Sequence, residues 1–470
     1  MVIGRRAEQA EMARLLRSPK PEFVAVYGRR RVGKTFLINQ TAPRHAFKLT
    51  GQADTPTAGQ LEAFNAAVRE SGGAARPATS WREAFDVLRG LIETSTDPGK
   101  KVVFLDELPW LATDKSGFLP ALEHFWNHWG STRGDLLLIV CGSATTWMVE
   151  KLIRDSGGLY NRLTGLIHLK PFCLGECEEF FRQENLPANR YQIVESHMVF
   201  GGIPYYMSLM RPQYGLTQNV DALCFAETGI LRTEFDAIYA SLFKRPENYV
   251  AVVRALAKRA AGSTRAEIIA LTGIANGGTL TKVLSDLVHS GFLREYHGFG
   301  KVERDSLFQL VDPFTLFYLR FMEGTSTRDP HYWSNFRPTG RHRAWSGYAF
   351  EQVALLHVEQ IRTALGVSGV LTDYAAWTGG AGGEKAQIDL LLDRNDQVIN
   401  LLEMKHSQGE FTVDAAAERA MIRKLSVFQA ATRTKKAIVP TLVTTYGLTP
   451  NSHSGVFPNV VTMDDLFRIL

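Results

Sequence analysis

The run Gly28-Arg29-Arg30-Arg31-Val32-Gly33-Lys34-Thr35 constrains this chain more than any other stretch, because it has the spacing of a phosphate-binding P-loop. Four fixed positions would coincide by chance in roughly 1–2% of chains this long. Context narrows this further. An apolar run, Phe23-Val24-Ala25-Val26-Tyr27, precedes the loop, and a helix-like segment from Thr35 to Gln40 follows it, as strand–loop–helix requires. The glycines let the backbone turn tightly and bring N–H groups close to phosphate oxygens. Lys34 is expected to reach the β- and γ-phosphates, and Thr35 to offer its hydroxyl to Mg²⁺. The helix that follows presents its N-terminus to the anion. ATP and Mg²⁺ are therefore the expected ligands. The three arginines should lend backbone amides to phosphate while their side chains point outward. Ahead of the loop, Arg5 and Glu8 flank the start of an amphipathic helix and are expected to cap it, with contact to the nucleotide base as the alternative.

Paired carboxylates extend the pattern. Lys101 to Glu107 reads as a buried parallel strand, Val102-Val103-Phe104-Leu105, ending in Asp106-Glu107. Asp106 is expected to hold Mg²⁺ through water, and Glu107 to orient or deprotonate the attacking water. A second apolar strand, Leu136 to Cys141, ends at Gly142-Ser143, with Ser143 placed to meet the γ-phosphate or the water. Arg162, ahead of a short strand at Leu166 to Leu169, is a candidate charge-sensing arginine, with an ordinary surface role as its competitor.

A chain of 470 residues with 45% apolar and 21% charged residues suits a soluble protein of several domains. Its net charge of +5 is too small to establish nucleic-acid binding by itself. The four cysteines, Cys141, Cys173, Cys177 and Cys224, lack a second Cys/His pair to complete a zinc site and read as reduced thiols. The start, Met1-Val2-Ile3-Gly4-Arg5-Arg6, turns polar too soon for a signal peptide. Apolar runs are too short to cross a bilayer, so a cytoplasmic protein without a membrane partner is expected.

The motifs occur in the order Gly4-Arg5…Glu8, the Arg-rich P-loop, Leu105-Asp106-Glu107-Leu108-Pro109-Trp110-Leu111, Cys141-Gly142-Ser143, Arg162 and Gly201-Gly202-Ile203-Pro204-Tyr205-Tyr206. Together they resemble the archaeal-type ATPases related to the STAND and AAA+ P-loop families. The resemblance implies an ATPase with a helical lid and a Gly-Gly-x-Pro turn near the nucleotide. The turn's own chemistry shows only a rigid, glycine-enabled bend.

From Asn248 to Leu310 the periodicity gives three helices and a hairpin, which resembles a winged helix-turn-helix domain. The second helix is expected to start with a capping box at Ser263. The third, Thr279 to Ser290, offers Thr279, Thr281, Lys282 and Ser285 against Asp286. The hairpin sets Lys301 and Arg304 against Glu303 and Asp305. That near-balance is a weak electrostatic footprint for DNA.

The last third reads as a long helix, Ala344 to Ile361, carrying Glu351. A Gly-rich turn at 379–383 follows, then a hairpin of Gln387 to Asp393 and Val398 to Lys405. Side chains alternate along a strand, so Glu403 and Lys405 share a face, and Asp389 on the neighbouring strand can join them. Two carboxylates with a lysine can hold Mg²⁺ and activate water against a phosphodiester, with Glu351 completing the shell. Arg419, Arg423 and Lys424 on a following helix could line a nucleic-acid path. This constellation resembles the PD-(D/E)xK restriction-endonuclease-like fold, with Ile388-Asp389 in place of the usual Pro-Asp.

The expected architecture is thus α/β. A P-loop NTPase core spans 1–170, a helical lid 171–245, a winged-helix domain 246–322, a linker 323–332 and a nuclease-like domain 333–470. The expected function is an ATPase whose nucleotide state controls a Mg²⁺-dependent nuclease-like domain on DNA, in genome defence or maintenance. A homo-oligomer is one option for its assembly. The competing class is an ATP-switched scaffold or signalling protein whose C-terminal domain binds a partner or nucleic acid without cutting it.

Overall fold

Each apolar run that ends in a polar tip becomes a strand of one parallel sheet. The computed structural model describes residues 2–470 apart from 75, 97, 114, 144, 154–158, 160, 244, 301–305, 325–328, 338 and 382. The hairpin charges at Lys301, Glu303, Arg304 and Asp305, and part of the expected linker, therefore lie outside the described residues. The chain divides into two units, 1–170 and 171–470.

In the first unit, β1 (Glu22–Tyr27), β2 (Phe47–Thr50), β3 (Lys101–Asp106), β4 (Leu136–Gly142) and β5 (Gly165–His168) stand in the order β2-β3-β4-β1-β5. Every neighbouring pair is parallel. Every residue of β1, β3 and β4 is buried, because helices cover both faces of the sheet. On one face Phe23 and Phe47 pack against a layer built from Phe64, Trp81, Phe85, Phe118, Phe125 and Trp126. Each such side chain contributes on the order of 1.5–3 kcal/mol by leaving water. Parallel strands put all their C-terminal ends on one edge, which is where the polar tips collect. This is an α/β fold with a parallel sheet, consistent with a P-loop NTPase.

The second unit opens with helices Leu174–Gln183 and Arg190–Phe200. The latter stops at Gly201, and Gly201 and Gly202 both have φ of 65°. A Cβ at Gly202 would come 2.2 Å from the Phe172 carbonyl oxygen, so this bend requires glycine. Further on come helices Pro246–Leu256, Arg265–Thr272 and Gly278–His289, then β7 (Leu293–Gly298) and β8 (Leu307–Leu310), which pair antiparallel. The short β6 (Ser263–Thr264) pairs with β8. Ser263 is thereby drawn into the sheet, so the capping box forms one residue later than expected, at Thr264 with Glu267. Asp286 does not face outward beside the exposed cations. It is buried, accepting from the Tyr249 hydroxyl and pairing with Lys282.

The second sheet runs β13-β12-β11-β10-β9-β7-β8-β6. Its other strands are β9 (Thr372–Ala381), β10 (Glu384–Arg394), β11 (Val398–Lys405), β12 (Ala437–Thr444) and β13 (Asn459–Thr462). β7 meets β9 in parallel at His297–Ala375 and Gly298–Ala376, so hairpin and C-terminal strands form one sheet. Two expectations are corrected here. Gly379 and Gly380 lie inside β9 rather than in a turn, where a Cβ would meet the Trp377 ring at 2.5 Å and the Glu384 carbonyl oxygen at 2.5 Å. The long helix is interrupted, as Gly340–Leu356 and Val358–Ala364, at His357, whose imidazole is used elsewhere in the core. Among the described residues, no helix is long and apolar enough to cross a membrane.

Candidate functional site

The P-loop turns out of β1 at Gly28, whose φ of 146° no L side chain adopts comfortably. A Cβ there would lie 2.2 Å from the Leu169 carbonyl oxygen. Gly33, with φ of 92°, starts the helix Lys34–Thr41 and points its N-terminus into the loop. The register Tyr27–Gly142 places Ser143 beside Gly28, and Leu105–Val140 brings the tip of β3 alongside.

These tips form one hydrogen-bonded network. Lys34 is buried, and its Nζ donates to the carbonyl oxygens of Gly28 (2.9 Å) and Arg29 (3.0 Å) and to Ser143 Oγ (3.0 Å). Ser143 Oγ in turn donates to Glu107 Oε1 (2.9 Å), while the Ser143 amide donates to Glu107 Oε2 (3.4 Å). Thr35 Oγ1 donates to Asp106 Oδ2 (2.8 Å), and the Glu107 amide donates to Asp106 Oδ1 (2.9 Å). Glu107 sits at φ 48°, a left-handed conformation for a non-glycine residue. Such strain collects where geometry serves a site. A cation, a hydroxyl relay and two carboxylates are thus held at one sheet edge beside a glycine-bounded loop.

Two sequence expectations are corrected. Of the three loop arginines only Arg30 is exposed; Arg29 is buried at 6% exposure and Arg31 is half-buried. Arg5 does not cap its helix. Its guanidinium donates to the Lys170 carbonyl oxygen (2.5 Å) and to that of Val32 in the P-loop (3.4 Å). It ties the loop to the chain leaving β5, and only tertiary packing reveals this. Charge-assisted bonds of this type are worth ~1.5–3 kcal/mol. Arg5→Ala should therefore lower the urea midpoint of the full chain and raise KM for ATP more than it lowers kcat. An unchanged midpoint and KM would show that the tie is idle. Arg162 is exposed in the loop before β5 and takes no part in the Lys34 network.

In the second unit, β10 and β11 pair through Leu390–Leu402, so Asp389 and Glu403 flank that pair. Lys405 Nζ lies 2.7 Å from Glu403 Oε1 and Lys424 Nζ 2.6 Å from Glu403 Oε2. Burial acts to raise the Glu403 carboxyl, yet Lys424 and Lys405 together hold it below the usual carboxylate range. Glu351 behaves oppositely. Burial first, then the charges of Asp389 and Glu403, push it up to about 8. Asp389 Oδ1 accepts from Gln387 Nε2 (2.7 Å). The structure therefore groups Glu351, Asp389, Glu403, Lys405 and Lys424 electrostatically. Among the described residues, no three His, Cys, Asp or Glu side chains stand close enough together to hold a metal ion.

Residues 3–210 match the model of a family described as an ATPase domain predominantly from Archaea. The chain carries an archaeal-type ATPase domain. That domain contains the whole Lys34 network. Over 360 residues the chain is 24% identical to the uncharacterized protein MJECL04 of Methanocaldococcus jannaschii, covering 75% of this chain and 76% of that one. The Walker-type ATPase paby2304 of Pyrococcus abyssi is 20% identical with a TM-score of 0.49, covering 68% of this chain and 96% of its own. The Aeropyrum pernix ORC2 protein, solved as ADPNP–ADP complexes, is 16% identical with a TM-score of 0.42, covering 68% of this chain and 94% of its own.

Proposed function

We propose that this protein is an ATP-hydrolysing switch whose nucleotide state controls a Mg²⁺-dependent nuclease-like domain acting on DNA, in genome defence or maintenance. The ATPase part rests on the Lys34–Ser143–Glu107 relay at the mouth of the P-loop. Arriving phosphate would replace Ser143 and the loop carbonyls as partner to Lys34, which frees Ser143 to fix Glu107 toward the attacking water. Thr35 and Asp106, already bonded to each other, are a hydroxyl and a carboxylate of the kind that Mg²⁺ takes. When bound, Mg²⁺ supplies charge neutralisation at the phosphates.

The nuclease part rests on one observation. Glu351, Asp389 and Glu403 share one half-buried patch, in which burial first and then the two neighbouring carboxylates push Glu351 up to about 8 against the opposing charges of Lys405 and Lys424. A divalent cation relieves that charge as a proton does, so Asp389 and Glu403 are the carboxylates assigned to a hard cation, and binding requires the cluster to close, because no three of its side chains stand within metal-binding reach among the described residues. When bound, it supplies an activated water and a Lewis acid at the phosphodiester. Lys405, beside Glu403, would stabilise the charge that develops.

Incubating the full chain with plasmid and linear DNA, Mg²⁺ or Mn²⁺, with and without ATP, tests this reading. Cleavage should appear in wild type and fall at least about 10²-fold in Glu403→Ala and Lys405→Ala. Equal cleavage by wild type and both variants would sink the nuclease.

A specific observation favours the scaffold alternative. Both Glu403 oxygens are committed to lysines, so a metal must displace at least one of them. Calorimetric titration with Mn²⁺ separates the readings: heat lost in Asp389→Asn supports the metal centre, and no heat in wild type supports the scaffold.

A further inference from the structure

A cavity of ≈ 220 Å³ lies in the second unit between the β7–β8 hairpin and strands β9 and β10. Arg294 and Tyr296 enter it from β7, Gln309 from β8, Trp377 from β9, and Gln387 and Asp389 from β10. Arg294 and Tyr296 are two apart on one strand and so share a face. The Arg294 guanidinium sits 4.5 Å from the Tyr296 ring centroid, and its Nε donates to Gln309 Oε1 (2.6 Å). The Tyr296 hydroxyl donates to the Ala261 carbonyl oxygen, which fixes the ring as a wall.

The unusual feature is the charge. Burial is the largest influence on Arg294 and lowers its pKa, against weaker opposing effects that include Asp389. Among the described residues, no salt bridge to it is formed, its Nε partner is a neutral amide, and Asp389 acts on it only through space. The guanidinium is thus half-buried, with Asp389 acting on it only at a distance and no anion bonded to it. A ligand anion at the cavity mouth would complete its hydrogen bonding. The cavity is smaller than the ~300–1,000 Å³ of pockets for drug-sized ligands, so it suits a single phosphate and its sugar rather than a whole cofactor. A guanidinium fork backed by an aromatic ring is well matched to phosphate oxygens.

We propose that this cavity seats one phosphate of a nucleic-acid backbone on Arg294, adjacent to the phosphodiester presented to Asp389, Glu403 and Lys405. The hairpin preceding the C-terminal domain is then part of the same site, because β7 and β9 are neighbours in one sheet and Asp389 borders both the cavity and the carboxylate cluster. The identity of the neighbouring centre rests on the nuclease reading; anion capture at Arg294 does not. Arg294 is a positioning residue here, acting on the substrate's backbone.

The test is DNA binding by the full chain in EDTA, read by fluorescence anisotropy of labelled single-stranded and duplex oligonucleotides over a salt series. Arg294→Gln should weaken binding about tenfold and reduce the slope of log K against log salt by about one. Arg294→Lys should recover part of the affinity, which separates lost charge from lost packing. Unchanged affinity and slope in Arg294→Gln overturn the proposal. So does a thermal shift with inorganic phosphate that Arg294→Gln abolishes while DNA binding stays intact, because the cavity then takes a free anion. Weakened binding in Arg294→Gln with no cleavage by wild type keeps this inference and removes the nuclease reading. Cleavage that survives with unchanged binding does the reverse.

Discussion

Lys34→Ala should lower ATP turnover by about 10²–10³-fold, the loss seen when one donor to a developing anionic charge is removed from a preorganised site. Two things make the effect large. Lys34 is buried, so its charge acts in a low-dielectric setting. Its Nζ is also already aimed, through three hydrogen bonds, at the loop mouth and at Ser143. The variant should lose nucleotide affinity as well as rate. Glu107→Gln should behave differently, keeping ATP binding while turnover falls by about 10²–10⁴-fold. Ser143→Ala separates the relay from the base. It removes the hydroxyl that joins Lys34 to Glu107 and should lower kcat with little change in KM. Steady-state kinetics with a nucleotide-binding assay on the three variants checks the pattern. Wild-type turnover in Lys34→Ala would remove the ATPase assignment to this loop. Tight binding with full turnover in Glu107→Gln would transfer the water-activating role to another residue.

The contrast between these residues and the others shows what local sequence can carry. Gly28, Gly33, Lys34 and Thr35 are legible because one turn of backbone sets their spacing, and at Gly28 a Cβ would strike the Leu169 carbonyl oxygen. Asp106, Glu107 and Ser143 are legible at one remove. Each follows an uninterrupted apolar run, and parallel strands deliver such tips to a common edge whatever their order in the sheet. Arg5 is not legible. Nothing in Gly4-Arg5-Arg6 announces that the guanidinium will cross to Val32 and Lys170, since that contact needs β5 placed beside β1. Arg29 fails for a related reason. Loop arginines are mostly exposed, and only the packed sheet edge turns this one inward. In the second unit, the Glu403–Lys405 pair follows from strand alternation, whereas Lys424 reaches Glu403 from a helix 21 residues on. Arg294 enters from a hairpin more than 90 residues before Asp389, through a parallel β7–β9 pairing that no periodicity could have indicated. Topology, and not residue type, withheld these parts.

Acid should loosen the second unit through a buried histidine pair. His197 and His357 lie in edge-to-face contact with ring centroids 5.3 Å apart, and both are almost wholly buried. His357 is held in the neutral form by its partners. Its Nδ1–H donates to the Val353 carbonyl oxygen (2.7 Å), and its Nε2 accepts from the Leu174 amide (2.9 Å), a bond that a second ring proton would destroy. Burial above all lowers His357 to about 4 and His197 to about 3. Both folded-state values lie below the ordinary imidazole value of about 6.5, so the unfolded chain takes up protons first as pH falls. The stability that these groups contribute is present above about pH 6.5 and is lost progressively toward pH 4. At pH 5 the loss is about 2 kcal/mol for each histidine, from 1.36 kcal/mol per pKa unit. Glu351 works the other way. Its value is raised to about 8, so the folded chain holds its proton longer and that group costs stability as pH rises from about 4.5 to 8. The histidine effect is therefore read from a difference between variants and not from the wild-type curve alone. In urea titrations of the full chain at pH 5, 6 and 7, His357→Gln should be less stable at every pH, because Leu174 loses its acceptor. Its stability should nevertheless fall less steeply on acidification than that of wild type, by about 2 kcal/mol between pH 7 and pH 5. Hydrogen exchange gives a local readout of the same event, with the Leu174 amide losing protection in wild type as pH drops below 6 after correction for intrinsic exchange. Parallel pH curves for wild type and His357→Gln would show that the imidazole does not titrate on unfolding. The acid sensitivity of this unit would then have to be sought at other groups.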